Sequence, residues 1–186
     1  IRAIRPWFWI RFGYIKSHSI GHCIFDSEYY LSEQELLNEE KIDCFYYQSG
    51  RPPNEQWDLM LRRTLRIHPV FRYLDIANNM ITGSELHQIV THINESRDIK
   101  GYFRKTKPHI KFTQNEDDRG KLFLNNLGLS PEDHFVCMII RDSAYKEEFQ
   151  KWKNDWSYHN YRDSAIETYS DAAISLAEKG YWVIRM

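Results

Sequence analysis

Cysteine is scarce in this sequence, which has three among its 186 residues: Cys23, Cys44 and Cys137. Their number is odd and their spacing is wide, so the chain lacks the framework of a disulfide-stapled domain. Two of them lie in apolar runs, and we expect buried, reduced thiols. Thiols of this kind are typical of a reducing compartment, which favours a cytoplasmic protein.

An excess of charge of either sign is also missing, since the formal net charge is -1 and the isoelectric point is about 6.8. No global field therefore attracts nucleic acid or an anionic membrane, and any anion site must be local. The basic cluster "LRRTLR" at 61–66 alternates with apolar residues and is predicted to be a solvated helix face. We expect no nucleic-acid partner.

Long hydrophobic runs are absent. The opening "IRAIRPWFWIRFGYI" is too short and too often interrupted by arginine for a membrane span, and it has no signal-peptide cleavage site. The sequence therefore predicts no membrane-spanning helix, and peripheral contact with a membrane is the one kind of membrane association left open. The chain starts at Ile1 and stops at Met186 directly after an apolar strand pattern, so we expect a fragment of a longer protein.

Several catalytic and cofactor motifs are missing. The sequence has no GxGxxG, GxxxxGK[ST], GxSxG or HExxH, and its eight histidines never fall at metal-ligand spacing. We therefore expect neither a metal site nor a bound cofactor.

What is present is an alternation of strand and helix patterns, which predicts an α/β fold with parallel strands. Strands are predicted at 7–15, 42–47, about 70–74, 135–140 and 181–186. Helices are predicted at 19–31, 54–65, 82–93, 113–128 and 164–179. The charged stretch 95–108 has no period and is interpreted as a linker, which suggests domains at 1–106 and 107–186.

The first candidate site follows the first predicted strand, because ligands of parallel sheets bind beyond the carboxyl ends of strands. There "KSHSIGH" places His18, Gly21 and His22 at a helix N-terminus, where free amides suit an anion or a hydroxyl-rich ligand. The alternative is a turn with two solvated histidines.

Two further candidates lie in the second half. "RDSAY" follows the apolar run 135–140, and an arginine there could bind a diphosphate with two hydrogen bonds; the alternative is an Arg141–Asp142 pair that caps the sheet edge. "WSYHNYRDS" offers aromatic faces and an arginine for a base or sugar, or it is only an aromatic loop over the sheet. The candidates are Arg141, Asp142, Ser143, Tyr145, His159, Tyr161, Arg162, Asp163 and Ser164.

The stretches "FVCMIIRDSAY", "YHNYRDS" and "GYWVIRM", with "SIGH…EYYL" earlier, resemble a family of bacterial GT-B-type glycosyltransferases of surface-polysaccharide biosynthesis, distantly fucosyltransferase-like. The resemblance implies two Rossmann-like layers with parallel sheets, the second truncated at the C-terminus. Residues 1–106 would be the acceptor-side domain, and 107–186 would begin the domain that binds the donor. Where fucosyltransferase-like enzymes have a His-x-Arg motif ending at the position of Arg141, this sequence has Ile139 in place of the histidine.

The resemblance implies a glycosyltransferase that moves a sugar from a nucleotide-diphosphate donor to a glycan or other hydroxyl acceptor. His22 would line the acceptor side as a base, and Arg141 with Arg162 would neutralise charge on the leaving diphosphate. The alternative is a non-catalytic α/β module that binds carbohydrate or protein. The fragment by itself is expected to have an incomplete site.

Overall fold

The structure, a computed structural model, describes residues 1–91, 97–142 and 157–186, with side chains from residue 160 onward in the last range. It divides into two compact units, residues 1–113 and 114–186, and each is described by itself. The domain boundary predicted near residue 106 stays a prediction. No helix in the described part of the chain has both the length and the apolar character needed to cross a bilayer.

The first unit is built on a four-stranded parallel sheet with the strand order β3-β2-β1-β4. Its elements are β1 (Ile10–Ile15), α1 (Ile20–Leu37), β2 (Ile42–Tyr47), α2 (Glu55–Thr64), β3 (Arg66–Ile67), α3 (Val70–Asn79) and β4 (Gln88–Ile89). β1 pairs along its whole length with β2, so that Arg11 stands opposite Asp43. The expected α/β fold with parallel strands is confirmed for this unit, which is a Rossmann-like layer.

The two faces of this sheet are covered by different helices. On one face, Phe45, Cys23 and Leu61 are almost completely buried in an apolar core supplied by β1, β2, α1 and α2. On the other face, α3 packs on β1 and β2, and the rings of Phe12 and Phe71 lie 6.4 Å apart. Burial of these side chains is the main favourable term in the folding of the layer.

Gly13 lets β1 and β4 approach each other closely. A Cβ atom at this position would lie 2.8 Å from the Cβ of Ile89, which no real contact allows. Because Gly13 pairs with Ile89 in the parallel register, the missing side chain makes room for the short edge strand.

The helix α1 buries polar residues as well as apolar ones. Ser32 is fully buried and its hydroxyl accepts a 2.9 Å hydrogen bond from Thr106. Glu28 accepts from the backbone N–H of His109 at 2.7 Å, and the imidazole of His109 lies between the carboxylates of Glu28 and Glu35 at 2.8 and 2.7 Å. The described part of the predicted linker, residues 97–108, is therefore packed against α1.

Two predicted elements of the first unit differ from the structure. The strand expected near 70–74 is helical and belongs to α3, while the helix expected over 82–93 is a 3₁₀ turn, Ser84–His87, followed by β4. The apolar residues of "VFRYLDIANN" fit one face of a helix, and the turn starts at Gly83, whose φ of 83° is left-handed.

The second unit has two parallel strands. Its elements are α4 (Gln114–Asn126), β5 (Phe135–Met138), 3₁₀ turns at Ser157–Arg162 and Ile166–Tyr169, α5 (Ser170–Glu178) and β6 (Trp182–Arg185). Six apolar residues in a row, as at 135–140, are typical of a strand covered on both faces, but Ile139 is 78% exposed and Cys137 is exposed. In the described residues, β5 ends at Met138 and pairs with β6 alone. A second Rossmann-like layer of the GT-B kind stays a prediction.

Candidate functional site

The carboxyl edge of the four-stranded sheet is the first candidate site. Because β2 and β4 lie on opposite sides of β1, the strand order reverses there, and open α/β sheets bind ligands at such switch points. The loop after β1 carries His18, and the first turn of α1 carries Gly21 and His22. The structure thus brings the three predicted acceptor-side residues to the carboxyl edge of the sheet, where parallel sheets bind their ligands.

The loops after β1 and β2 are tied to one another. The hydroxyl oxygens of Ser17 and Ser49 are 2.6 Å apart, and the backbone N–H of Ser49 donates to Ser17 at 3.1 Å. One residue earlier, the N–H of Gln48 donates to the carbonyl oxygen of Ile15 at 3.0 Å. These bonds fix the floor of the site, since Ser17 is itself almost completely buried.

His18 and His22 lie beside each other above this floor, with ring centroids 6.2 Å apart. Partial desolvation lowers the pKa of His18, the neighbouring charges of His22 and Lys16 lower it further, and a hydrogen bond with Gln48 opposes them. His18 is therefore neutral near pH 7 and able to accept a hydrogen bond. His18 is exposed and His22 is partly exposed, and the alternative, a turn with two solvated histidines, stays a prediction.

Asp26 is a member of this site that the sequence analysis missed. Its carboxylate lies one helical turn below His22, with Nδ1 and Oδ2 3.7 Å apart, and the residue is only 3% exposed. This contact is too long for a hydrogen bond, and it is an ion pair only when the imidazole is protonated. The i, i+4 spacing of the two residues on a helix was the signal available in the sequence.

Gly21 makes no close contact that needs a glycine. A Cβ at this position would meet nothing within 4 Å among the described residues, and the residue is exposed. Its place in the site is that of open surface next to His22.

A small cavity of about 190 Å³ lies at the carboxyl ends of β2 and β3. Its walls include Tyr46, Tyr73 and the guanidinium groups of Arg62 and Arg72. Arg62 is held by Asp58 at 2.8 Å, so its charge is already compensated. Aromatic faces with polar tips make this hollow suitable for the end of a polar ligand.

The second candidate site, in residues 114–186, is organised around Arg141. Its Nε lies 3.1 Å from Oδ1 of Asp163, and its carbonyl oxygen accepts a 3.0 Å hydrogen bond from the N–H of Ser164. The structure therefore joins the loop after β5 to the segment before α5, which the sequence analysis had treated as two candidates. Arg141 contacts Asp163, and the alternative interpretation, a pair of Arg141 with Asp142, stays a prediction.

The rest of this group is more exposed. Tyr161 is 81% exposed, and the guanidinium of Arg162 lies 5.4 Å from its ring centroid. Asp142 is exposed, and Ser164 accepts a 3.3 Å hydrogen bond from the hydroxyl of Tyr169. Ser143, Tyr145 and the side chain of His159 lie outside the described residues.

Metal binding has no geometric basis in the part of the chain that is described. Over residues 1–91, 97–142 and 157–186, no group of three or more His, Cys, Asp or Glu side chains is arranged to hold an ion.

No family model, no curated protein and no solved structure matches the chain. What the two sites do must therefore be argued from their chemistry.

Proposed function

We propose that the chain is part of a glycosyltransferase that moves a sugar from a nucleotide-diphosphate donor to a hydroxyl acceptor. The observation that supports it best is the pair of His22 and buried Asp26 at the switch point of a parallel sheet, where acceptor activation needs a base.

The acceptor half of the reaction is assigned to His22. As the acceptor oxygen forms its bond to the anomeric carbon, its proton passes to the imidazole, and the bond from that carbon to the diphosphate oxygen breaks. Asp26 is a positioning residue, because its carboxylate stabilises the imidazolium that results. The ordinary contribution of such a base is about 10²- to 10⁴-fold in rate.

The donor half is assigned to Arg141 and Arg162. Guanidinium groups match the oxygens of a diphosphate, and they keep their charge at any working pH. Asp163 already compensates part of the charge of Arg141, so the diphosphate must share or displace that carboxylate. We assign the diphosphate contact to both guanidinium groups.

Nucleoside diphosphate binding tests the donor half. Titration of the full chain with UDP and GDP, measured by calorimetry, should give saturable binding that weakens about 10- to 100-fold in Arg162→Ala and in Arg141→Ala. Arg119→Ala on α4 removes an equal charge from the same unit and should bind normally. Equal affinity in all three variants, or no binding by the native chain, contradicts the assignment.

Turnover of the parent enzyme tests the acceptor half. His22→Ala should lose about 10²- to 10⁴-fold in kcat, whereas Asp26→Asn should lower kcat and leave KM nearly unchanged. A His22→Ala enzyme with native kcat would remove His22 from the mechanism.

A non-catalytic carbohydrate- or protein-binding module is the second candidate. The exposed ring of Tyr161, stacked with Arg162, favours it, because exposed aromatic and arginine side chains are common in binding surfaces. Such a module needs no nucleoside diphosphate, so the titration above separates the two functions.

A further inference from the structure

A second cavity, of about 300 Å³, lies on the α1 face of the four-stranded sheet. It is bounded by α1, by β4 with the two residues that follow it, and by Lys100, and its walls include Arg11, Tyr29, Tyr30 and Glu33. The helix rise places Glu33 about 17 Å along α1 from His22. The cavity is therefore distinct from the carboxyl-edge site.

The charges in the walls of this cavity are compensated in pairs. Arg11 makes two hydrogen bonds to Asp43, at 2.8 and 2.5 Å, and Lys100 donates to Glu33 at 3.0 Å. Two cations thus face two carboxylates, and the cavity has no net charge with which to attract an anion. A neutral ligand fits this balance better than a phosphate or a carboxylate.

The hydroxyl of Tyr29 is the polar group in the cavity that still needs a partner. Tyr29 is 4% exposed, and its Oη makes no hydrogen bond within the described residues. Its ring is packed against Tyr102, with centroids 5.1 Å apart, while Lys100 and Glu33 act electrostatically on its hydroxyl. Buried hydroxyls almost always have a hydrogen-bond partner, so a ligand group is expected there.

We propose that this cavity binds a neutral, hydroxyl-rich small molecule of about the size of a monosaccharide. The tyrosine rings provide apolar faces for its C–H groups, Glu33 accepts from its hydroxyls, and Tyr29 and Lys100 donate to its oxygens. The cavity is at the small end of the range for ligand pockets, which limits the ligand to one ring or the terminal ring of a chain. The proposal does not depend on the proposed sugar transfer.

A nuclear magnetic resonance titration of the full 186-residue chain, labelled with ¹⁵N, tests this site. The neutral probes are glucose, N-acetylglucosamine, myo-inositol and maltose, and the anionic probes are glucose 6-phosphate and glucuronate. We expect saturable shifts of the amides of Tyr29, Glu33 and Lys100 with at least one neutral probe. Maltose separates a terminal ring from a free monosaccharide.

Two variants and one control decide whether the neutral probes bind in this cavity. Tyr29→Phe keeps the ring packing and should weaken neutral binding about 3- to 10-fold, and Lys100→Met, which removes the ammonium that donates to Glu33, should weaken it similarly. Tyr181→Phe removes the hydroxyl of an exposed residue in the second unit and should bind normally. Absence of neutral binding, binding of anions alone, or unchanged affinity in both Tyr29→Phe and Lys100→Met overturns the proposal.

Discussion

We expect alkaline pH to destabilise the first unit through its buried phenols. Three tyrosine hydroxyls donate to carboxylates, in the pairs Tyr30–Asp43, Tyr46–Asp75 and Tyr47–Asp58. In each case burial first, and then the neighbouring carboxylate, raises the pKa of the phenol above its usual value. Ionisation would place a second negative charge beside an existing one inside the protein.

The sign and size of the effect follow from linkage. Unfolded tyrosine ionises near pH 10, so the stabilisation is complete below about pH 10 and is lost as the pH rises from there towards the folded pKa. Each phenol costs about 1.4 kcal/mol per pH unit in this range, and three together cost about 4 kcal/mol per pH unit. Burial also raises the pKa of the Cys23 thiol to about 12, which adds a loss of the same sign. A domain with about 5–15 kcal/mol of stability unfolds within a few pH units.

Equilibrium unfolding in urea, repeated from about pH 8 to about pH 11 and followed by circular dichroism, measures this slope. Tyr47→Phe should reduce the contribution of the phenols to the slope of unfolding free energy against pH by about a third. The rest should be unchanged, because Asp58 keeps its contact with Arg62 and the packing is retained. The exposed Tyr73→Phe variant should keep the native slope. A stability that stays constant up to about pH 11, or a Tyr47→Phe slope equal to that of the native chain, would refute the linkage argument.

Two further predictions concern packing and thiol access. Gly13→Ala should cost about 1–3 kcal/mol of unfolding free energy, because its Cβ would meet the Cβ of Ile89 at 2.8 Å. The matched change Gly21→Ala has open space and should not destabilise, so equal urea midpoints for the two variants would contradict the close approach. A thiol reagent should modify Cys137 rapidly in the native chain and the two buried cysteines slowly, as counted by mass spectrometry; three equally fast reactions would contradict the burial pattern.

The sequence predicted the strands with strong local patterns and missed the elements defined by the rest of the layer. β2 was predicted at 42–47, as found, because its apolar run is bounded by polar turns. β4 contains only Gln88 and Ile89, which is too short for any period to appear, and it exists because Gly13 lets it pair with β1. α1 extends to Leu37 because its polar side chains bind residues 106–110, a contact that local periodicity does not show.

The candidate sites likewise contain residues that the sequence predicted and residues that only the fold brings together. The position of His22 after the first strand followed from the rule for parallel sheets, and the structure places it at that edge. Its neighbour Asp26 was missed because apolar spacing alone predicted this helix, and the polar pair at i, i+4 does not contribute to that pattern. Arg141 and Asp163 are far apart in the sequence, and only the pairing of the loop after β5 with residue 164 brings them together.

The pair formed by Arg11 and Asp43 has a consequence for how the first two strands align. Since these residues stand directly opposite each other on β1 and β2, sliding either strand by one position would turn one partner to the far face of the sheet. Both charges would then be dehydrated without a counterion, a penalty of several kcal/mol. The ion pair thus fixes the register of β1 and β2. It raises the free energy of shifted pairings even where their apolar contacts would be acceptable.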